Sequence, residues 1–449
     1  MKRTLALLCI VLCSGMIAAQ TNTFVVDGIK YFFEWDSAVY VSSYNVNIGT
    51  RVEPKMENYH DVTTIDIPAK VTYNGVEYDV VGIGSGAFKG AKKLEKVTIP
   101  TSIKHIRKDA FVETPLYNNP DNWPKQMLII NDCLIDIHPD VDTILFIPEG
   151  TRYIAQYVGY NHRKLPYVVV PGSVKLIDEY AFSNSTELGY VALLDGVEQI
   201  GFGCMSSNDK MTSIFIPNSV TKIGYNVGSN RRMSSIQVDL YNPVYDARND
   251  CYAIIETATN TLMLGGLMTV IPNTVKKIGP SAFNYRDITS IYLPEGIEGI
   301  DQAAFAHNLF STIRIPNSVK HIGKFAFQDC QKLKEIILGS GLDSIAEDAF
   351  LYCSAIESIK CHAVTPPTIH EHEFFYAPID NIILYVPEES ITLYRTHPVW
   401  TKFIHIKALT ETGVEDIHQS TPNTSKQLRN GQVVIVKDGV EYNVMGGEL

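Results

Sequence analysis

The residue types best suited to chemistry are few in this sequence, and they do not converge. His370-Glu371-His372-Glu373 sets two histidines two positions apart, and a strand would aim both imidazoles to one side, as metal ligands need. No third ligand stands nearby and the spacing is not the helical His-Glu-x-x-His of metalloproteases, so the motif reads as surface and no metal is expected. Asp140 and Asp142 in HPDVDT form an acid pair that reads as solvated turn residues. Cys330 and Cys353 stand 23 residues apart in matching contexts, IGKFAFQDC and IAEDAFLYC. The same column elsewhere holds Ala91, Thr114, Ser185, Asn208 or Asn308, so it selects a small side chain, and buried free thiols are expected there. A disulfide would need the two Cα atoms within ~7 Å. No G-x-S-x-G, P-loop or cysteine with a local catalytic signature occurs. The chain is expected not to be an enzyme and to carry no cofactor.

Bulk properties narrow the classes further. The 449 residues are 45% apolar, enough for a large core, and carry 38 basic against 49 acidic side chains for a net charge of −11. No block of Lys and Arg could neutralise a phosphate backbone, which excludes nucleic acid as the expected partner. Residues 1–19 (MKRTLALLCIVLCSGMIAA) combine two basic residues, an apolar run and small residues at its end, the pattern of a secretory signal peptide. Leu12 precedes Cys13 where a lipoprotein signal needs a small residue, so cleavage near Ala19 without a lipid is expected. No later run reaches the ~18 apolar residues of a membrane-spanning helix. Cys133, Cys204, Cys251, Cys330, Cys353 and Cys361 follow the leader, too sparse for a disulfide framework.

The elements that position these residues repeat. An Ala-Phe pair or its equivalent returns at Phe88 and Phe111, at Phe182, and at Phe283, Phe305, Phe327 and Phe350, 22 or 23 apart within each block, with Met205 in the slot after Phe182. In step with it run alternating apolar segments ending in proline: LEKVTIP (94–100), MTSIFIP (211–217), ITSIYLP (288–294) and FSTIRIP (310–316). Alternation over four to six residues rich in Ile, Val and Tyr predicts a strand, and the proline ends it. An isoleucine follows six residues later at Ile106, Ile177, Ile223, Ile278, Ile300 and Ile322, and then comes the Ala-Phe turn. One such unit cannot cover its own apolar residues, so neighbours must stack into a solenoid with a parallel sheet. About thirteen coils are expected. At ~4.8 Å per strand the sheet would run roughly 55–60 Å.

These residues resemble the BspA-like, treponemal-type leucine-rich repeats of bacterial surface proteins, whose pattern I-G-x-x-A-F-x-x-C-x-x-L-x-x-I-x-I-P-x-S-V is followed over roughly residues 62–407. The resemblance implies a leucine-rich-repeat solenoid with a curved parallel β-sheet on the concave side and short turns or helical segments on the convex side. The asparagine usual after the strand is missing, and Ser102, Ser173, Ser219 or Ser318 follows the proline instead, so no buried asparagine ladder is expected.

The expected organisation is a signal peptide (1–19), an N-terminal β cap (20–81), the solenoid (82–361), a C-terminal cap (362–409), a linker (410–427) and a β-hairpin tail (428–449). Asp-Gly and Asn-Gly in FVVDGIKYFFEW and VTYNGVEYDVVGIG predict tight hairpins in the first cap. Trp400 and Phe403 should cover the last coil. Two stretches break the period, 115–143 and 240–268, each containing two strands about a polar turn and therefore read as hairpin insertions, either spacers or recognition elements.

What remains is a surface. The residue two before each proline should point outward on the concave face: Thr98, Phe146, Val169, Ala192, Phe215, Gln237, Tyr292, Arg314, Ile337 and Lys360. Tyr167 and Tyr190 would join that face only with strands offset by one. Exposed aromatics mark binding sites, so Phe146, Phe215, Tyr292 and Arg314 are the candidate binding residues. The resemblance implies a non-enzymatic protein, secreted or on the outer cell surface, that adheres to a host extracellular or mucosal protein or to another bacterial surface component. A glycan-binding accessory protein of the envelope, with aromatic rings stacking on sugars, is the alternative.

Overall fold

The computed structural model describes residues 23–35, 38–42, 59–369, 377, 379–409, 425–429, 432–437 and 440–443. The expected signal peptide and the His370–Glu373 motif lie outside these residues. The chain forms two compact units, residues 1–118 and 119–449.

In the first unit, Thr23–Val26 pairs with Ile29–Trp35 about Asp27-Gly28, and Lys70–Tyr73 with Val76–Ile83 about Asn74-Gly75. All four turn residues have positive φ, from 50° to 79°, the geometry that a two-residue hairpin demands and that Asp-Gly and Asn-Gly supply. Ala38–Val41 joins the hairpins into one sheet by pairing in parallel with Val76–Ile83. The repeat is already present here: Thr64–Asp66 lies parallel to Lys96–Thr98, and the rings of Phe88 and Phe111 stack 5.5 Å apart. A strand of the repeat, Thr64–Asp66, therefore stands inside the stretch that the sequence assigns to the cap.

The second unit is built of the same repeat, and the described residues make about fourteen turns of mostly parallel strand in all. Each coil has three hydrogen-bonded sides. The first is the principal strand ending at proline, whose alternate residues are buried: Val168 and Val170, Val191 and Leu193, Ile336 and Leu338. The second is a two-residue strand at the isoleucine that follows the proline by six residues. Tyr153–Ile154, Leu176–Ile177, Gln199–Ile200 and Lys222–Ile223 stack in parallel, as do Lys277–Ile278, Gly299–Ile300, His321–Ile322, Ser344–Ile345 and Thr368–Ile369. The third is the Ala-Phe turn, where Phe182, Phe283, Phe305 and Phe327 each donate an amide hydrogen to a carbonyl one coil on, at 2.7–2.8 Å. The buried rings of Phe283, Phe305, Phe327 and Phe350 form a column with centroids 5.2–5.4 Å apart and planes within 10°.

Both period-breaking stretches form hairpins, and both join the second side. Met127–Ile130 and Cys133–Ile137 pair about Asn131-Asp132, with Cys133 and Leu134 parallel to Tyr153 and Ile154. Ala253–Glu256 and Thr261–Gly265 pair likewise, with Thr261 and Leu262 parallel to Lys277 and Ile278. Gly265 is required there: a Cβ on it would sit 2.0 Å from the Phe283 ring.

Several sequence expectations need correction. The principal sheet is not continuous. In the second unit it comes in three pieces, Leu145 to Leu193, Ser213 to Val238, and Thr312 to Ala408. ITSIYLP forms no strand: among the described residues no principal strand stands between Val238 and Thr312 to pair with it, and the amide of Ile288 turns instead to the Arg286 carbonyl and Asn308 Oδ1. The solenoid also runs past 361, since Ile383–Val386 and His405–Ala408 extend the last sheet in parallel. Trp400, fully buried, closes that end against Phe403 and Tyr394, its Nε1 donating to the Pro367 carbonyl at 2.9 Å. The tail has three antiparallel strands rather than two, and the first, Ser425–Arg429, begins inside the stretch expected to be a linker.

A polar ladder also exists, at a different corner from the one considered. Asn208 donates from Nδ2 to the carbonyls of Phe182 (2.9 Å) and Met205 (3.0 Å), and its Oδ1 accepts from the Ser185 amide at 2.7 Å. Asn230 Oδ1 accepts from the Asn208 amide, and Asn308 repeats the arrangement with Phe283 and Phe305. Cys330 and Cys353 continue the column as free buried thiols that donate to the carbonyls of Phe305 and Phe327. The serines after proline tie coils together in the same way, since Ser173, Ser219 and Ser318 each donate to a carbonyl and accept an amide of the preceding coil.

Candidate functional site

On the principal strands every second side chain faces outward, and the identity of those side chains changes along the second unit. In the first piece the outward positions are Ile144 and Phe146, Tyr167 and Val169, Tyr190 and Ala192. Phe146 pairs with Val169, which pairs with Ala192, so these side chains form a row across neighbouring strands. Phe146 is 64% exposed and Ile144 50% exposed, with Val169 and Ala192 too short to cover them. Tyr167 and Tyr190 are directly opposite one another in register, their rings 5.3 Å apart and tilted by 37°. They share the face with Val169 and Ala192 without any offset, which corrects the sequence expectation: residues two apart in a strand lie on the same side. Burial, then the neighbouring Tyr167, pushes the Tyr190 hydroxyl above its usual pKa.

Phe215 faces outward from the second piece, half-buried, beside Gln237 in register. The strands 190–193 and 213–216 remain neighbours although they do not pair, so Phe146 and Phe215 stand on one side of the unit with the two tyrosines between them in chain order. Tyr292 is 42% exposed but sits on the segment that forms no strand, apart from that row. Arg314 lies in the third piece, where most outward residues are polar (Thr312, Arg314, Glu335, Ser358, Lys360, Tyr385, His405 and Lys407), with Ile337 and Ile383 the apolar ones among them. Lys360 is held by Glu335 at 2.7 Å, whereas Arg314 is exposed and has no carboxylate within 4.0 Å among the described residues. Burial, then the charges of Arg314 and Lys360, depress the His362 pKa. The structure therefore separates the four candidates: Phe146 and Phe215 belong to an apolar stretch, Arg314 to a charged one, and Tyr292 to neither.

Two further features escaped the sequence reading. The second insertion and the strand before it enclose a cleft of about 630 Å³, lined by Phe215, Gln237, Leu240, Asp246, Arg248 and Tyr252 among others. Leu240, which lines it, and the next residue, Tyr241, are 89% and 82% exposed. Their loop is nevertheless pinned: Asn242 Nδ2 donates to the carbonyls of Pro217 and Val220, its Oδ1 accepts from the amides of Val244 and Tyr245, and Asp239 accepts from the Tyr241 amide. Arg248 is engaged by Asp246 (2.8 and 2.6 Å), which raises its pKa, and by Asn260. The second feature is on the turn side, where Tyr157 and Tyr180 stack 5.2 Å apart and Tyr160 meets Tyr157 edge-on at 5.1 Å. Their recurrence at 23 residues is a signal in the sequence, but it lies outside the strand column that parity singles out.

Burial pushes the thiols of Cys133, Cys204, Cys251, Cys330 and Cys361 up, the opposite of what a nucleophile needs. Among the described residues no three His, Cys, Asp or Glu side chains are grouped to hold a metal, and no helix is long and apolar enough to cross a membrane.

Comparison with known proteins follows the same lines. The family model for the BspA type leucine rich repeat region matches in six copies over residues 57–133, 143–254 and 268–384, about two thirds of the chain. The unmatched gaps at 134–142 and 255–267 fall in the two hairpin insertions. No curated protein is similar enough in sequence to count as a relative. Among solved structures, the pneumococcal vaccine antigen PcpA is 19% identical, covering 86% of this chain and 96% of its own at a TM-score of 0.46. A leucine-rich repeat protein from Eubacterium ventriosum is 18% identical (81% and 83% covered, TM-score 0.40). One from Bacteroides ovatus is 20% identical (81% and 100% covered, TM-score 0.35). With TM-scores under 0.5, the fold assignment rests on the family model and not on these structures.

Proposed function

The chain belongs to the BspA-type leucine-rich-repeat family, and from that premise we propose that it is a secreted or cell-surface recognition protein that binds a host or bacterial surface protein without catalysis. The observation that carries this reading is the apolar row on the outward face: Ile144 and Phe146 exposed beside Tyr167, Tyr190 and Phe215. Aromatic side chains left in water on a rigid sheet add affinity at little ordering cost when a partner covers them. Arg314, unpaired in the charged stretch, supplies a cation for the partner's polar rim.

A binding screen of the full chain against immobilised extracellular-matrix and mucosal proteins, with a glycan array in parallel, tests the reading. Phe146→Ser combined with Phe215→Ser should weaken a protein hit by roughly thirtyfold or more, as loss of hot-spot aromatics does. A protein hit unmoved by the pair would remove the sheet face from the mechanism, and silence on both arrays would remove adhesion. Glycan binding is the second reading, favoured by the stacked Tyr157–Tyr180 pair with Tyr160 beside it, the platform a sugar ring needs. A glycan hit abolished by Tyr160→Ser would promote it.

A further inference from the structure

The strand Ser235–Val238 pairs in parallel with Ser213–Ile216, and among the described residues no strand takes its other edge. The solenoid does not end there, since the second side resumes at Lys277–Ile278 and the principal sheet at Thr312–Arg314. Opposite the open edge stand residues Asp246 to Asp250 and Tyr252, and the space between is the 630 Å³ cleft. A row of unpaired backbone donors and acceptors is a template for another strand, and proteins usually blunt such an edge with lysine, proline or a bulge. Ser-Ile-Gln-Val at 235–238 has none of these.

The walls define what would fit. Phe215 and Leu240 offer apolar contact on the strand side, and the pinned turn holds Leu240 and Tyr241 out in water instead of folding them back. Asp239, Asp246 and Asp250 outnumber the single cation, Arg248, which Asp246 already engages. The cleft is therefore acidic as well as apolar.

We propose that this cleft receives an extended, basic segment of a partner protein, which adds to the open edge of Ser235–Val238 as a further β-strand. Its alternate apolar side chains rest on Phe215 and Leu240, and a lysine or arginine between them faces the cleft carboxylates. The inference rests on the recognition function proposed above and names a second contact for it, which shares Phe215 with the Phe146 row, so Phe146→Ser alone tells the two contacts apart.

The probe is a pooled library of acetylated hexapeptides incubated with the full chain, the retained peptides being sequenced by mass spectrometry. Retained sequences should alternate Lys or Arg with β-branched or aromatic residues. The best is then resynthesised with N-methyl groups on odd or on even amides. A strand paired along one edge uses alternate amides only, so one series should lose at least tenfold in affinity and the other should keep it. Asp239→Asn with Asp250→Asn should weaken binding severalfold and flatten its salt dependence, and Phe146→Ser should leave it unchanged. Binding equally tolerant of both N-methyl series, or no enrichment over acidic sequences, overturns the inference while leaving the Phe146 row and its array test untouched. Loss of peptide binding in Phe146→Ser would likewise overturn it, because the segment would then lie on the sheet face.

Discussion

At the scale of single residues, one column decides how coils are tied together. Ala91, Thr114, Ser185, Asn208, Asn308, Cys330 and Cys353 are alike in being small, and size is what the sequence alone reveals. Their hydrogen-bonding role became visible only once the turn carbonyls of Phe182, Phe283, Phe305 and Phe327 were placed beside them. Asn208 satisfies three buried backbone groups, whereas a thiol is a weak donor to one. Asn208→Ala should therefore cost on the order of 3 kcal/mol or more, because buried amides and carbonyls left unpaired cost about 1–3 kcal/mol each. Cys330→Ala should cost clearly less, about 1–2 kcal/mol for a lost sulfur contact and a small void. Urea denaturation of the two variants side by side checks the ranking. Equal losses would mean that the column is filled for volume alone.

At the scale of elements, the solenoid's strands and hairpins were legible because alternation and period repeat many times, while what joins one run of coils to the next was not. Arg286 reads in the sequence as an ordinary turn residue of NYRDI, yet it is fully buried. Its Nε donates to the Gly265 carbonyl at 3.0 Å, Nη1 to those of Asn230 (2.9 Å) and Asn284 (3.2 Å), and Nη2 to that of Gly228 at 2.6 Å. One side chain thus links the coil before the second insertion, the insertion's last strand and the coil after it. No period encodes it, since a staple across an interruption occurs once. Burial lowers its pKa to about 9, so it is still charged at neutral pH and answered only by carbonyl dipoles. Two effects oppose in Arg286→Met: a costly buried charge is removed, but the carbonyls of Gly265 and Asn284 lose the partner that the arginine supplied. Those carbonyls should win, giving a loss of about 2–4 kcal/mol, together with faster hydrogen exchange at amides 226–233. Arg286→Lys should not rescue it, because an ammonium cannot span carbonyls on three elements. Unchanged stability in the methionine variant would show that desolvation of the guanidinium cancels everything it ties together.

At the scale of the whole molecule, length, period and charge were enough to read a repeat scaffold, and the apolar row was half-read. Phe146 and Phe215 came from strand parity, but the break in the sheet that isolates Tyr292 and opens the edge at Ser235–Val238 follows from how the second insertion lies, which alternation does not describe. The same stacking that hides the polar ladder also hides thiols and phenols, and this sets how the protein meets high pH. Burial raises the pKa of Cys251 to about 11 and of Tyr31 to about 12, and pushes Cys133, Cys204, Cys330, Cys361 and Tyr394 up as well. In the unfolded chain thiols ionise near ~8.5 and phenols near ~10. A group whose folded pKa is raised contributes stability that is complete below its unfolded value and disappears as pH climbs to the folded one. Cys251 alone should then withdraw on the order of 2–3 kcal/mol between about pH 8.5 and 11, at roughly 1.4 kcal/mol per pH unit. Arg286 acts with the opposite sign, since its depressed pKa makes the folded state relatively better above about 9, but it is one group against seven. Urea midpoints taken at half-unit steps from pH 7.5 to 11 in reducing buffer should stay level to about 8.5 and then fall with steepening slope. A midpoint that holds level through pH 10.5 would mean that water reaches these thiols in the folded coils, and the interior would not be the sealed stack that the ring column and the buried ladder require.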